Sequence, residues 1–150
     1  MPSFRALPPT LRSTGRTRPI GPPDAARIHI PVARATVDCG VYCDSSRLPG
    51  KYTHAAALSK VRELEEEGKE AFVWVGLHEP DEHQMQAVAD VFGLHELAVE
   101  DAVHAHQRPK LEAYGSTLFI AAHTAQRVDG HVRFGETHVF VGPRFLVTVR

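Results

Sequence analysis

"AFVWVGL", Ala71 to Leu77, is an unbroken apolar run of strand length, and its reading decides the fold. A strand with one wet face would alternate, so an unbroken run predicts a central strand covered on both faces. Just upstream, "THAAALSKVRELEEEG" (Thr53–Gly68) predicts a helix. Thr53 suits the N-cap, Leu58, Val61 and Leu64 form an apolar stripe, and Gly68 supplies the stop. Before it, "RATVDCGVYC" (Arg34–Cys43) is β-branched and apolar enough for a strand. Strand, helix and buried strand in that order predict a βαβ unit with a right-handed crossover.

Downstream, the next helix is well marked. Pro80 suits its first position, and Asp81 and Glu82 place favourable charge in its first turn. Met85, Val88, Ala89 and Phe92 repeat at helical spacing, and Gly93 ends it. A short helix is expected from about Glu96 to His104. After Pro109 the chain turns to strands: "KLEAY" (110–114), "TLFIAAHTA" (117–125), then "THVFV" and "FLVTV" as a hairpin about Gly142-Pro143-Arg144.

With 150 residues there is room for one domain, burying about 68–70% of its unfolded surface on folding. Residues 1–33 stand apart from it. Seven of the eleven prolines precede Val32, and Asp24 is the only acid there against Arg5, Arg12, Arg16, Arg18 and Arg27. Such a segment buries too little apolar surface to offset its ordering entropy, so a flexible arm is expected over 1–33 and a folded domain over 34–150. An Arg-rich arm could touch phosphates or lipid headgroups; a solvated tail is the plainer reading.

The formal net charge of −1 gives no global field for nucleic acid or an acidic membrane. Cys39 and Cys43 are too few for a disulfide framework and read as reduced thiols on one strand face, as in a cytosolic setting. No run of 18 apolar residues occurs, and the N-terminus lacks the apolar core of a secretory signal, so these residues read as a soluble piece. The sequence ends at Arg150 directly against a strand end, which leads to the expectation of a longer protein.

Ten histidines invite a metal-enzyme reading. "HEPDEH" (78–83) has its histidines five apart with Pro80 between, whereas a zincin helix needs them at i and i+4. His29, His54, His123, His131 and His138 show no ligand spacing. No phosphate loop, nucleophile elbow or Cys-x-x-Cys pair is present. No catalytic residue and no enzyme activity are therefore expected.

The acids of the short helix remain. Glu100 and Asp101 lie towards its C-terminus, where negative charge is unfavourable by roughly 0.3–1 kcal/mol. Glu100 and His104 share a face, Asp101 lies about 100° around the helix, and His106 follows. Two carboxylates with few soft ligands suit a hard cation such as Mg²⁺, and the histidines could draw Co²⁺ or Zn²⁺ instead. Equally, Arg108 and Lys110 could neutralise both acids. Spacing leaves the two readings open.

"FGLHELAVEDAVHAHQRPKLEAYGSTLFIAAH" (Phe92–His123) closely resembles the N-terminal cytoplasmic domain of the CorA family of divalent-metal transporters. The shared pattern is a Gly–hydrophobic–His start, a Val-Glu-Asp core, then Gln-Arg-Pro-Lys and a glutamate before an aromatic. Glu96 stands where a proline is frequent, and Ala102-Val103 replaces a more polar pair. "FVWVGLHEPDE" (72–82) and "GETHVFVGPRFLVTVR" (135–150) extend the likeness over roughly 72–150. It is weak over 34–71 and absent over 1–33.

The resemblance implies a three-layer α/β/α domain with a mixed parallel and antiparallel sheet, hung beneath the membrane in a homopentamer. It matches Glu100 and Asp101 to the family's interface acids, where regulatory Mg²⁺ (or Co²⁺) bridges to an acid of the neighbouring subunit's stalk helix and holds the pore shut. The family's pore helices and Gly-Met-Asn motif do not occur in these 150 residues. This piece is expected to reach the membrane only through helices it lacks, and one sheet face would be left open if the family's later cytoplasmic helices are also missing. A soluble interaction module with an acidic helix face and a stand-alone divalent-metal-binding protein are the alternatives.

Overall fold

The structure, a computed structural model, describes residues 31–104 and 106–150. Seven strands form one sheet: β1 (Thr36–Cys43), β2 (Ser46–Arg47), β3 (Ala71–Leu77), β4 (Lys110–Tyr114), β5 (Thr117–Val128), β6 (His131–Gly142) and β7 (Phe145–Val149). Their order is β2-β1-β3-β7-β6-β5-β4, and β3–β7 is the one parallel pair among antiparallel neighbours. Three α-helices accompany it: α1 (His54–Glu66), α2 (Glu82–Phe92) and α3 (Glu96–His104). The fold is a mixed-sheet α/β domain.

The expected βαβ unit does not form, because β1 and β3 run antiparallel. The cause is a two-residue turn at Asp44-Ser45, with φ of 47° and 66°. Positive φ at both central residues is the type I′ hairpin geometry, which sends the chain back along β1 as β2. The α1 helix therefore starts at the N-terminal end of β1, and Ala71 enters beside Cys43 at the opposite end. Asp38 and Arg47 lock the hairpin with paired contacts of 2.7 and 2.8 Å.

Local signals placed the helices well. Thr53 accepts the Ala56 N–H at the start of α1. At its end Gly68 N–H bonds to Glu65 O and Lys69 N–H to Leu64 O, a Schellman pair closed by a residue at φ 78°. In α2 the first helical residue is Glu82 rather than Pro80, and Asp81 is the cap. Asp81 accepts from Gln84 N–H while the Gln84 side chain accepts from Asp81 N–H, a complete capping box. Pro80 lies one residue outside, because the Asp81 carboxylate satisfies a helix donor that a proline ring cannot. Asp81→Ala is expected to cost about 1 kcal/mol, seen as a lower urea midpoint with an unchanged denaturant slope.

One face of the sheet forms the core. Val41, Val73, Val75, Leu77, Val147, Phe119 and Phe140 are fully or almost fully buried there. All three helices lie on that side: α1 against β1 and β3, Phe92 of α2 with its ring 5.1 Å from Phe145, and α3 bonded to β4 through Asp101 and Lys110. Cys43 belongs to the core and Cys39 packs at its margin, both free. His54 is buried within hydrogen-bonding distance of the Thr36 hydroxyl (3.2 Å), and burial pushes its pKa down.

The opposite face is apolar and open. By register it carries Tyr42, Phe72, Trp74, Leu118, Val141 and Leu146. Phe72 and Leu118 are exposed, so the expected cover on both faces of β3 is present on one. No helix among the described residues supplies a third layer.

The start of the described chain also refines one boundary. Val32–Arg34, at the edge of the expected arm, form a 3₁₀ turn, and the Gln84 side chain donates to Pro31 O at 3.2 Å. Residues 1–30 of that arm, His29 included, lie outside the described residues.

Candidate metal centre

The α3 helix and the strand that follows it build the site. His95, just ahead of α3, accepts the Leu97 N–H on Nδ1 at 3.3 Å, and its ring stacks on Tyr114 of β4 at 4.3 Å. Ala98, Val99 and Ala102 face the core and fix the rotation of the helix. That rotation leaves Glu100 exposed and Asp101 half-buried, turned towards β4.

Lys110, at the start of β4, reaches Asp101: its Nζ lies 2.7 Å from Oδ2. The same ammonium lies 3.1 Å from Glu112 Oε2. Tyr114 then donates its hydroxyl to Glu112 at 2.9 Å. Hydrogen bonds to Asp101 and Glu112 push the Lys110 pKa up, and those from Tyr114 and Lys110 push the Glu112 carboxyl down. The Tyr114 phenol is raised by its bond to Glu112.

Of the two neutralising cations weighed from sequence, Lys110 takes Asp101. Arg108 is exposed and forms no ion pair among the described residues, and the Glu100 carboxylate has no partner among them. Lys110 and Glu112 pair along one strand face, and Lys110 also reaches α3 through Asp101. His104 is directed at the helix itself, its Nδ1–H donating to the Glu100 carbonyl at 3.0 Å.

Among the described residues no group of three or more His, Cys, Asp or Glu side chains is arranged for a metal ion. The two donors expected from sequence, Glu100 and Asp101, are adjacent carboxylates, one of them shared with an ammonium. That set fits Mg²⁺, which keeps most of its waters and takes one or two carboxylates, provided further ligands come from elsewhere.

Glu136 was not singled out from sequence. It lies on the helix side of β6, accepts the N–H groups of His106 (2.6 Å) and Gln107 (2.8 Å), and receives Nε2–H of buried His138 at 2.8 Å. His106 is held at φ 62°, a left-handed conformation uncommon outside glycine. Burial pushes the Glu136 pKa up, but the two backbone N–H groups and His138 together outweigh it, and the carboxyl lies below its ordinary value. His123 completes the corner by donating to Gln107 O at 3.0 Å. An acid placed two residues before a histidine on a strand's inner face was the available signal.

Comparison with known proteins gives the family and the fold. Residues 69–150 match the family described as CorA-like Mg2+ transporter protein. YfjQ of Bacillus subtilis (strain 168), whose name assigns it to metal ion transport, is 32% identical over 78 residues, 52% of this chain and 24% of that protein. The cobalt/magnesium transport protein CorA of Thermotoga maritima is 42% identical over 45 residues, 30% of this chain and 12% of that protein. The chain thus spans about a quarter or less of the length of these relatives. In fold it is similar to the soluble domain of CorA from Methanocaldococcus jannaschii, with a TM-score of 0.51 and 8% identity over 77% of this chain and 41% of that one. The match over more than half of its length shows that the chain belongs to the CorA-like Mg²⁺ transporter family.

Proposed function

We propose that these residues form the cytoplasmic metal-sensing domain, roughly 34–150 behind a flexible arm, of a CorA-like magnesium or cobalt transporter. The reading is carried by one observation: within the matched stretch, α3 presents Glu100 to solvent and Asp101 at a half-buried edge. Glu100 and Asp101 hold a regulatory Mg²⁺ at a subunit interface, and a neighbouring subunit of a homopentamer completes the ligand set. When bound, the ion neutralises acids that otherwise repel across the interface, which stabilises the closed assembly. Its loss shifts the population towards the open one. The stalk and pore belong to parts of such a protein beyond these residues. In that assembly the open apolar sheet face, with Phe72 and Leu118, is covered by a further layer.

The test is Asp101→Ala in the assembled full-length protein. Losing the Lys110 pair costs about 1 kcal/mol at most, so folding stays nearly intact. The Mg²⁺ concentration for half-inhibition of flux is expected to rise about tenfold, within the usual range of allosteric coupling. Unchanged inhibition would remove Asp101 from the sensor.

A further inference from the structure

Lys110 lies between the carboxylates of Asp101 and Glu112. Its ammonium touches Asp101 at 2.7 Å and Glu112 at 3.1 Å, and it sits 5.7 Å above the centre of the Phe119 ring. Phe119 is fully buried and blocks any inward retreat. The way out is sideways, along β4 to Glu112. That carboxylate is ready to receive it, being held by the Tyr114 hydroxyl at 2.9 Å, while Tyr114 is braced by stacking on His95.

We propose that Lys110 is a tethered cation that occupies Asp101 when the metal is absent and moves fully to Glu112 when a divalent cation binds. This rests on the reading of Glu100 and Asp101 as the metal-holding pair, and it adds what sets their affinity. An ammonium in contact with Asp101 offsets part of the charge that would attract a dication and repels it, so the two compete for that carboxylate. Metal binding and the Lys110–Asp101 contact therefore oppose each other, and each weakens the other by the same factor. Glu100, Asp101 and Glu112 against Lys110 leave the group two negative charges in excess, which one dication balances. Lysine suits such a role because its charge is compact and its donors rotate freely between acceptors. Phe119, Glu112 and Tyr114 are positioning residues in this device and touch no metal.

The experiment is calorimetric titration of MgCl₂ into the assembled full-length protein, with Asp101→Asn defining the heat that belongs to this site. Lys110→Met is expected to lower the half-saturating Mg²⁺ about three- to tenfold, the scale of a partly exposed ion pair. Glu112→Gln, which removes the alternative acceptor, is expected to raise it about threefold. Arg108→Met removes the same charge from a cation that touches neither acid, so it should leave the value within about twofold. An effect of Arg108→Met equal to that of Lys110→Met would reduce the proposal to bulk charge and overturn it. An unchanged or weaker affinity in Lys110→Met overturns it too. If Asp101→Asn removes no heat, the metal reading of the site fails instead. Should Lys110→Met fail to assemble, Glu112→Gln decides by its opposite direction.

Discussion

Phe119→Ala is expected to destabilise the chain by about 4 kcal/mol, the range for truncating a large aromatic in a packed core. Phe119 is fully buried in β5, tilted against Phe140 with ring centres 5.0 Å apart and stacked on His138 at 5.7 Å. Its cavity would open beneath Lys110 and between β5 and β6, where no neighbour can close it without breaking the ladder. Urea unfolding of the variant checks this, since a midpoint close to the parent's would mean the helices do not seal that face. Phe119→Leu should recover roughly half of the loss, because it refills part of the volume.

The second large effect is expected at Glu136. Glu136→Ala leaves the His106 and Gln107 N–H groups and the His138 Nε2–H without their acceptor, a cost of about 3 kcal/mol after allowing for water at the exposed end of the corner. The left-handed turn at His106 loses its anchor, so the connection between α3 and β4 should exchange amide hydrogens faster than in the parent. A pH series separates charge from shape. The folded carboxyl is held below its ordinary value, so its stabilisation is present above the unfolded glutamate pKa and is lost as pH falls through the folded one. Glu136→Gln keeps the shape without the titration. The parent should therefore show a steeper loss of stability on acidification below about pH 4.5 than the variant. Parallel acid limbs would show that Glu136 acts through packing alone.

Much of the architecture was legible because it rests on short-range rules. Thr53, Gly68 and Gly93 mark helix ends whose hydrogen bonds close within a few residues, so the bounds of α1 and α2 lie within a residue or two of expectation. The apolar spacing of Met85, Val88, Ala89 and Phe92 named a buried face that the structure buries. Two turns escaped notice. Asp44-Ser45 lacks the glycine that usually marks a type I′ hairpin, and missing it inverted the expected direction of β3 relative to β1. Asp129-Gly130 does carry that glycine, and its turn extends β5 and β6 to twelve residues each, longer than their apolar runs suggested.

The acidic pair shows where local reading stops. That Glu100 and Asp101 sit on a helix ending near His104 follows from spacing, and Pro109 marks the start of the next strand. Which cation meets which acid does not follow from spacing. Arg108 and Lys110 are equally near in sequence, but β4 pairs with β5 in a register that puts Lys110 opposite Ala121, on the helix-covered face and under Asp101. A shift of one residue would have turned Lys110 away and brought Leu111 inward. Glu136 lies 30 residues from His106, and only the closing of the sheet brings its carboxylate to that backbone. Helix ends and apolar faces were written in neighbouring residues because their energies are local. The partners of the charged groups came from strand register, which is set by the whole sheet at once.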